Sequence, residues 1–381
     1  MKKHEKFNYL FILWGISFRQ KPGAVNGQIY ALANKLSTSK KNVAIVYVSY
    51  NSVVEKYGME NKNEYLFHIG SFISRILYSG FISKIILYFY KKKNRKMLNN
   101  KIKLYASGIH LPEIKADHII TSYWWAVLLA GQLYPKESIY FIVYHDYYND
   151  IINSNQKNIP ELQRAYSSSN LILANKELTT RFNGDHPLIT EGIDIEKFTC
   201  RGTINKEQDS TVLIPLRQNP LKGAEYAISA LLLIKKEFPQ VDIVAYGDFL
   251  GEVPDFIDFR HVVSENELKE LYCKATYFIL PSIVEGIPEP LLEAMAGGCA
   301  CISTACGGAQ QVIDDGINGI LVPTKDSKSI FSAFKKIYGN REMTKSIMNE
   351  GKKTAGKYDL NRTYNDFINA VNFYRDRKEL K

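Results

Sequence analysis

Two carboxylates, Glu285 and Glu293, stand eight positions apart in the sequence. The proline between them suits a first helical position and the two glycines after Ala296 suit a helix end, so the spacing predicts a short helix over residues 290–296. Eight helical residues would span about 12 Å, which is wider than the roughly 5 to 9.5 Å between the carboxyls of a glycosidase pair. The two acids are therefore expected to hold opposite ends of one long ligand, such as a sugar joined to a ribose by a diphosphate.

Glu285 is predicted to lie where a strand ends and a helix begins. The apolar run Tyr277–Leu280 is typical of a buried strand, and the helix over residues 290–296 follows closely. The first N–H groups of a helix have no partner within the helix and favour anions. This junction therefore suits an anionic ligand.

Two cations, Arg217 and Lys222, are expected in the loop between a strand at residues 212–215 and a helix at residues 224–238. A guanidinium and an ammonium at that end of the strand can both reach a diphosphate and neutralise the charge on a leaving nucleotide. An arginine and a lysine at this spacing are common on ordinary surfaces. The setting of strand, loop and helix upstream of the two glutamates favours the binding role.

Other predicted loops at strand ends carry small or titratable residues. Gly307 and Gly308 would let the backbone approach a ligand closely, and Gly23 lies in a similar loop that lacks the full G-x-G-x-x-G pattern. A simple turn is the alternative for each glycine loop. His145 follows an apolar strand at residues 139–144, where a structural and a catalytic role are both open.

Apolar strand runs alternate with helical patterns, which predicts an α/β fold with parallel sheets covered by helices on both faces. Strands are expected at residues 7–15, 43–49, 118–121, 139–144, 171–174, 212–215, 241–246, 277–280 and 299–304, and helices at residues 28–36, 224–238, 265–274, 290–296 and 360–377. Two doubly wound domains fit the length of 381 residues. We expect an N-terminal domain at 1–203, a C-terminal domain at 204–358, a linker at 200–210, and a final helix within 359–381 that packs back on the first domain.

Composition and charge indicate a globular protein with anionic partners. Hydrophobic residues make up 45% of the chain and charged residues 23%, as in soluble domains. The net charge of +10 favours nucleotides, lipid surfaces or nucleic acid as partners, and lysines that simply solvate the surface are the alternative. Because no nucleic-acid module is recognisable, nucleic acid is not expected as a partner. The apolar run at the start is too short for a secretion signal or a membrane span, which predicts a cytoplasmic protein.

Residues 72–96 combine an apolar helical pattern with a basic flank. Two internal charges and a polar stripe argue against a membrane span. Burial of an apolar face, together with attraction of a basic flank to anionic lipid, is typical of a membrane-surface helix. A core helix followed by a solvated loop is the alternative, so peripheral attachment to the inner face of the cell membrane is left open.

The chain has five cysteines, of which Cys299, Cys301 and Cys306 cluster near a predicted strand. No second group of cysteines or histidines nearby completes a zinc pattern, so these three are expected to be buried small residues. An odd number of thiols in a cytoplasmic chain argues against structural disulfides.

Several segments resemble the retaining glycosyltransferases of family 4, which have the GT-B fold. The two glutamates have the E-x7-E spacing of that family, and the arginine and lysine have its R-x4-K spacing. Residues 191–198 look like its N-G-V-D-x-x-x-F turn, and residues 307–323 look like its G-G…D-G-x-N-G-x-L-V-P segment. The resemblance covers the second half well and the first half loosely. It implies two facing Rossmann-like domains with an interdomain cleft.

The resemblance also implies roles for individual residues. Glu285 would contact hydroxyls of the donor sugar, which His145 would approach from the first domain. Arg217 and Lys222 would bind the diphosphate, and Glu293 would bind the ribose. The other implied donor-binding residues are Gly286, Ile287, Pro288, Glu289, Gly307, Gly308 and Gly23. The carboxylate of Glu289 would repel a diphosphate, so it is expected to turn toward the sugar or the acceptor.

The implied function is transfer of a sugar from a nucleotide-sugar donor to a polysaccharide or lipid-linked glycan in cell-surface glycan biosynthesis. The family retains the anomeric configuration, and no metal or other cofactor is expected. A sugar phosphorylase or a nucleotide-sugar epimerase on the same fold is an alternative, and each would act without a glycan acceptor. A third reading is a non-enzymatic basic protein that binds membranes or nucleic acid without responding to nucleotide sugars.

Overall fold

The computed structural model describes residues 6–14, 24–48, 98–107, 111–144, 156–174, 176–200, 210–261 and 263–379. The strands are β1 (Lys6–Trp14), β2 (Val43–Val48), β3 (Lys103–Ser107), β4 (Lys115–Thr121), β5 (Ile139–Val143), β6 (Asn170–Leu173), β7 (Thr211–Leu216), β8 (Asp242–Gly247), β9 (Ile257–His261), β10 (Tyr277–Leu280), β11 (Ala300–Thr304) and β12 (Ile320–Val322). The helices are α1 (Ala24–Thr38), α2 (Trp124–Ala130), α3 (Ile159–Ser167), α4 (Ile195–Phe198), α5 (Ala224–Glu237), α6 (Glu265–Lys274), α7 (Glu289–Ala296), α8 (Gly308–Val312), α9 (Ser327–Tyr338), α10 (Arg341–Gly356) and α11 (Leu360–Glu379).

The chain divides into two compact units. Unit 1 consists of Met1–Glu191 and Thr363–Lys381, and unit 2 consists of Gly192–Arg362. Each unit contains its own six-stranded parallel sheet.

The sheet of unit 1 has the strand order of a Rossmann fold. Its neighbours run β3-β2-β1-β4-β5-β6, so the order reverses between β1 and β4. Every residue of β2 and of β5 is buried, as expected for strands covered by helices on both faces. Helices α2 and α3 contribute to the core on one face, and α1 and α11 contribute to the core on the other.

The C-terminal helix α11 packs on the sheet of unit 1. Phe367 is fully buried in the same cluster as Phe11 of β1. The Tyr374 hydroxyl donates to the Leu171 carbonyl oxygen at 2.6 Å, and the Thr363 hydroxyl donates to the Thr190 carbonyl oxygen at 2.6 Å. These contacts explain why the chain from Thr363 onward groups with unit 1.

The sheet of unit 2 repeats the same order. Its neighbours run β12-β11-β10-β7-β8-β9, so its reversal lies between β7 and β10. Helices α5 and α9 pack on one face, where Ala227, Leu231 and Phe334 are fully buried. Helices α6 and α7 pack on the other face through Leu271, Leu291 and their neighbours.

Three strands were not predicted from the sequence: β3, β9 and β12. Each lies at the edge of its sheet. An edge strand needs no continuous apolar run because one side of it is open, and in β9 the first residue, Ile257, is the single buried one.

The boundary between the units lies at residues 191–192 rather than at 203–204, which corrects the predicted domain limits. Ile193 and Phe198 are buried in the core of unit 2. The N–H of Ile193 also donates to the Tyr358 carbonyl oxygen at 2.9 Å, and the N–H of Leu360 donates to the Ile193 carbonyl oxygen at 2.9 Å. Residues 192–200 therefore belong to the second unit, and 201–209 of the predicted linker lie outside the described residues.

Cys200 and Cys273 form a disulfide, with their Cα atoms 5.7 Å apart. The prediction that the chain has no structural disulfide was wrong, because an odd total of cysteines does not exclude one bonded pair. Cys299, Cys301 and Cys306 are free and buried, which agrees with their predicted role as small core residues. In the described part of the chain, no helix is long and apolar enough to cross a bilayer. Residues 72–96 lie outside that part.

Candidate active site

The reversal of strand order in unit 2 marks the position of the predicted site. Open α/β sheets bind ligands outside the carboxyl ends of the strands where the order reverses. Arg217 directly follows β7, and Glu285 follows β10, the two strands that flank this point. The loop with Gly307 and Gly308 follows β11, the next strand of the sheet.

The loop after β7 is shaped by Asn219 and Gly223. The Asn219 side-chain oxygen accepts from the N–H of Leu221 at 3.0 Å and starts a 3-10 turn over Pro220–Lys222. Gly223 has φ of +68°, and a Cβ there would overlap the carbonyl oxygen of Pro281. Only glycine therefore allows this loop to lie directly against the loop after β10.

Lys222 and Glu285 form an ion pair across these two loops. The Lys222 Nζ lies 2.8 Å from Oε2 of Glu285. The other oxygen, Oε1, accepts from the Ser282 hydroxyl at 2.7 Å. The two side chains are 32% and 15% exposed, so the pair is partly shielded and still open to a ligand. The structure thus brings together one predicted carboxylate, Glu285, and one predicted cation, Lys222.

The glycine loop after β11 packs against the backbone next to Glu285. The N–H of Gly308 donates to the Glu285 carbonyl oxygen at 3.2 Å. A Cβ on Gly308 would overlap the Gly286 carbonyl oxygen, and Gly307 has φ of +37°. Close approach of the backbone was predicted here, and what it approaches is the loop of Glu285.

Helix α7 begins at Glu289, one residue before its predicted start. Pro290 lies in its first turn, and no side chain caps its amino end. Of the residues before it, Gly286 is exposed, Ile287 is partly buried and Pro288 is buried. The amino end of α7 therefore follows the ion pair directly.

Glu293 lies on α7 in a different environment. Its Oε2 accepts a hydrogen bond from the Tyr272 hydroxyl at 2.9 Å. The pKa of Glu293 is raised to about 8, mainly by burial and next by the nearby Glu289 carboxylate. The Tyr272 hydrogen bond and the charge of Arg217 act in the opposite direction. A carboxyl group with a pKa near neutrality is typical of a functional site as well as of a buried network.

Arg217 connects to Glu293 through two tyrosines. Its guanidinium carbon lies 5.7 Å from the centre of the Tyr246 ring. The Tyr246 and Tyr272 hydroxyls lie 2.8 Å apart, and Tyr272 donates to Glu293. The sequence analysis missed both tyrosines, although Tyr246 is the last residue of the strand predicted at residues 241–246 and Tyr272 lies in the helix predicted at residues 265–274.

Four of the predicted site residues of unit 2 thus form two pairs. Lys222 meets Glu285 directly, whereas Arg217 and Glu293 interact through Tyr246 and Tyr272. Two further predicted residues, His145 and Gly23, lie outside the described residues. Within the described ranges, no group of three or more His, Cys, Asp or Glu side chains is placed to hold a metal ion.

Comparison with known proteins finds a family whose sequences match most of unit 2. Residues 198–354, which include both pairs, match the family Glycosyl transferases group 1. This segment is similar in sequence to the members of that family, and the match covers less than half of the chain. The matched residues lie entirely within unit 2, so the domain and the structural unit coincide closely.

Curated relatives of the chain are named as glycosyltransferases. EpsD of Bacillus subtilis (strain 168) is 27% identical over 180 residues, which cover 45% of this chain and 47% of EpsD. The amylovoran biosynthesis glycosyltransferase AmsK of Erwinia amylovora is 28% identical over 156 residues, which cover 36% of this chain and 38% of AmsK. The chain spans about half the length, or less, of these relatives.

The whole chain resembles HepE from Anabaena, whose structure was solved in complex with UDP. The TM-score is 0.68 with 14% sequence identity, and the likeness covers 96% of this chain and 99% of HepE. At this identity the likeness shows the fold alone. The predicted α/β class, with two Rossmann-like parallel sheets as in GT-B glycosyltransferases, is confirmed.

Proposed function

We propose that the protein is a retaining glycosyltransferase of family 4. It would move a sugar from a nucleotide-sugar donor to a hydroxyl of a polysaccharide or lipid-linked glycan in cell-surface glycan biosynthesis. The observation that carries this proposal is the Lys222–Glu285 ion pair at 2.8 Å, at the strand-order reversal of a unit that matches Glycosyl transferases group 1. The relatives named for glycosyl transfer support it.

The donor would lie along the carboxyl edge of the sheet of unit 2. Glu285 would accept hydrogen bonds from sugar hydroxyls, and Glu293 would accept from the ribose. Arg217 and Lys222 would bind the diphosphate between them, since guanidinium and ammonium groups suit phosphate oxygens. The backbone at residues 286–289, the amino end of α7 and the close-packed glycines at 307–308 would complete the wall of this donor site.

The reaction would form one bond and break one bond at the anomeric carbon. The bond from that carbon to the diphosphate oxygen breaks, and its electron pair leaves with the nucleoside diphosphate. The acceptor hydroxyl oxygen bonds to the same carbon from the same face, and its proton passes to a leaving phosphate oxygen. Arg217 and Lys222 would stabilise the charge that develops on the leaving group, so the proposal includes no metal ion.

The acceptor side of the proposal rests on the relatives. AmsK is named for amylovoran biosynthesis, so a polysaccharide or its lipid-linked precursor is proposed as the acceptor here. We also propose a cytoplasmic enzyme that attaches to anionic lipid through residues 72–96. Sedimentation with vesicles of phosphatidylglycerol, compared with vesicles of phosphatidylcholine, tests this attachment.

A panel of UDP-, GDP- and dTDP-sugars tests the central proposal by thermal shift and by release of nucleoside diphosphate. A ligand at 100 times its dissociation constant should stabilise the protein by about 2.7 kcal/mol. If no nucleotide shifts the unfolding transition, the proposal fails. Turnover that needs inorganic phosphate would indicate a phosphorylase, and sugar interconversion without an acceptor would indicate an epimerase.

A further inference from the structure

Two buried tyrosines form a chain of hydroxyl groups that ends on Glu293. Tyr246 of β8 is 2% exposed and Tyr272 of α6 is fully buried. Their hydroxyl oxygens lie 2.8 Å apart, and the Tyr272 hydroxyl donates to Oε2 of Glu293 at 2.9 Å. The two rings meet edge to face with their centres 6.2 Å apart, so neither hydroxyl can turn away without moving the core.

The chain has a direction. A tyrosine hydroxyl carries a single proton. An ionised Glu293 can only accept, so in that state Tyr272 donates its proton to Glu293 and Tyr246 is the donor in the bond between the two hydroxyls. The Tyr246 ring lies beneath the guanidinium of Arg217, at 5.7 Å from the ring centre. The hydrogen bonds therefore run from the residue under Arg217 to the carboxyl group of Glu293.

The chain leaves one oxygen of Glu293 for another partner. Within the described residues Oε2 is engaged by Tyr272, whereas no hydrogen bond to Oε1 is found and the Glu293 side chain is partly exposed. Burial and the charge of Glu289 both favour the neutral carboxyl group, whereas the Tyr272 hydrogen bond favours the ionised form and so opposes the rise in pKa. The tyrosines thus fix the orientation of this side chain and favour its ionised form.

Packing alone does not account for two buried hydroxyl groups here. Replacing both partners of a buried hydrogen bond by apolar groups of the same shape is often nearly neutral, so a pair of phenylalanines would fill this core as well. Phenylalanine would, however, leave Glu293 without its only described hydrogen-bond donor. The hydroxyls are therefore explained by their effect on Glu293.

We propose that Tyr246 and Tyr272 are positioning residues for nucleoside recognition, which hold Glu293 by its Oε2 so that Oε1 accepts a hydrogen bond from a ribose hydroxyl. The proposal rests on the proposed function, because it deepens the donor site of a nucleotide-sugar enzyme. It adds a specific requirement: the tyrosines act on the ribose contact and leave the diphosphate contact unchanged.

The test compares Tyr272→Phe and Tyr246→Phe with the control Tyr277→Phe. Tyr277 of β10 is also buried in unit 2, and its hydroxyl bonds to Thr344 rather than to the site. Titration calorimetry would use UDP and GDP, each beside its 2′,3′-dideoxy counterpart. We expect about tenfold weaker binding of the ribose forms to Tyr272→Phe, since a hydrogen bond to a charged group is worth about that much. The affinity for the ribose forms should fall about threefold in Tyr246→Phe and should be unchanged in Tyr277→Phe.

A ligand without ribose hydroxyls separates positioning from a general loss of structure. The dideoxy forms should bind all three variants as they bind the wild type. The pH dependence of binding gives a second measure, because the ribose forms should bind more tightly once Glu293 is ionised. The midpoint of this increase should move to higher pH in Tyr272→Phe, since the Glu293 carboxyl group loses the hydrogen bond that favours its ionised form.

The outcomes separate the two proposals. If the wild type binds neither UDP nor GDP, the proposed function fails and this inference fails with it. If the wild type prefers the ribose forms and Glu293→Gln removes that preference, the donor site stands. In that case, a Tyr272→Phe variant that behaves like Tyr277→Phe, or that loses the dideoxy forms equally, would overturn the role of the tyrosines alone.

Discussion

Glu285 and Glu293 are only eight residues apart, yet the protein compensates their charges in different ways. Glu285 lies in a loop with both oxygens engaged, by Lys222 at 2.8 Å and by Ser282 at 2.7 Å. Glu293 lies inside a helix, where one oxygen accepts from Tyr272 and burial raises its pKa to about 8. A full positive charge therefore contacts the first carboxylate, whereas a neutral hydroxyl contacts the second.

This difference separates two tasks. A partly shielded ion pair keeps a cation and an anion at fixed positions, which suits a site where charge develops during a reaction. A carboxyl group without a contacting cation is costly to ionise in a buried place, so its charge depends on pH and on what binds it. Under the proposed function, this difference favours a role of Lys222 and Glu285 in the chemical step and of Glu293 in ligand binding.

Breaking the ion pair should give the largest effect. Lys222→Ala should lower turnover by roughly 10²- to 10³-fold, the usual loss when one preorganised charge-stabilising group is removed. The measurement is steady-state release of nucleoside diphosphate from the donor identified by thermal shift. The matched control is Lys335→Ala, which breaks an exposed ion pair with Glu237 of 2.6 Å on the helical face of the same unit and should leave turnover unchanged. Full turnover in Lys222→Ala would remove the chemical role from this pair.

Opening the disulfide should give the next largest effect, on stability. Cys273 is the neighbour of Tyr272, so the bond to Cys200 constrains the helix that carries the Glu293 contact. The double variant Cys200→Ser/Cys273→Ser should lose roughly 2–4 kcal/mol of unfolding free energy, because the bond closes a long loop in the unfolded chain. Urea titration with and without dithiothreitol measures this loss.

The wild type alone should respond to the reductant in that experiment. Cys299, Cys301 and Cys306 are buried, so a thiol reagent should modify none of them until the protein unfolds. An unchanged urea midpoint for the wild type in reductant would show that the disulfide does not stabilise this unit.

The central strands and the residues at their ends could be predicted from sequence, but the edges and the buried supports could not. The run Tyr277–Leu280 is apolar because helices cover both its faces, and its end locates Glu285. The edge strands β3, β9 and β12 have no such run. Ser282 and Tyr272 differ in the same way: their hydroxyls contact the glutamates only after the chain has folded, and spacing along the sequence carries no information on such contacts.

Cysteine pairing shows the same limit. The residues Cys200 and Cys273 are 73 positions apart, and their meeting depends on the packing of the segment before residue 200 against α6. An odd number of cysteines shows that they cannot all be paired within one chain, but it does not exclude a single disulfide. The domain boundary was misplaced for a related reason, since Phe198 joins the core of unit 2 through a contact with the Tyr272 ring.

Neutralising Glu293 should raise stability at alkaline pH. The pKa of the Glu293 carboxyl group is about 8 in the folded protein, whereas the ordinary value, taken here for the unfolded chain, is 4.5. Between these values the folded state holds a proton that the unfolded chain has lost, so stability falls as pH rises from about 4.5 to about 8. Glu293→Gln removes this dependence while its amide oxygen can still accept from Tyr272. At pH 8.5 the variant should be more stable than the wild type by roughly 1–3 kcal/mol.

Unfolding curves at pH 5 and pH 8.5 measure that difference, which should be small at the lower pH. The same variant should bind nucleoside diphosphates more weakly, since the amide replaces a charged acceptor at the ribose. A variant that is no more stable at pH 8.5 would show that Glu293 is ionised in the folded protein without cost, as a carboxylate with a contacting cation would be.

The smallest effect should come from Glu289, whose charge acts on Glu293 from the first turn of the same helix. After burial, this charge is the largest cause of the raised Glu293 pKa, so Glu289→Gln should lower that pKa. Carbon-13 NMR of labelled glutamate measures the titration directly. Glu350→Gln on α10, where the carboxylate pairs with Lys353, is the control and should leave the Glu293 titration unchanged.

The shift in Glu289→Gln is opposite in sign to that expected for Tyr272→Phe, so the two variants together separate the repelling charge from the supporting hydrogen bond. A higher Glu293 pKa in Glu289→Gln would mean that Glu289 supports the ionised form rather than opposing it.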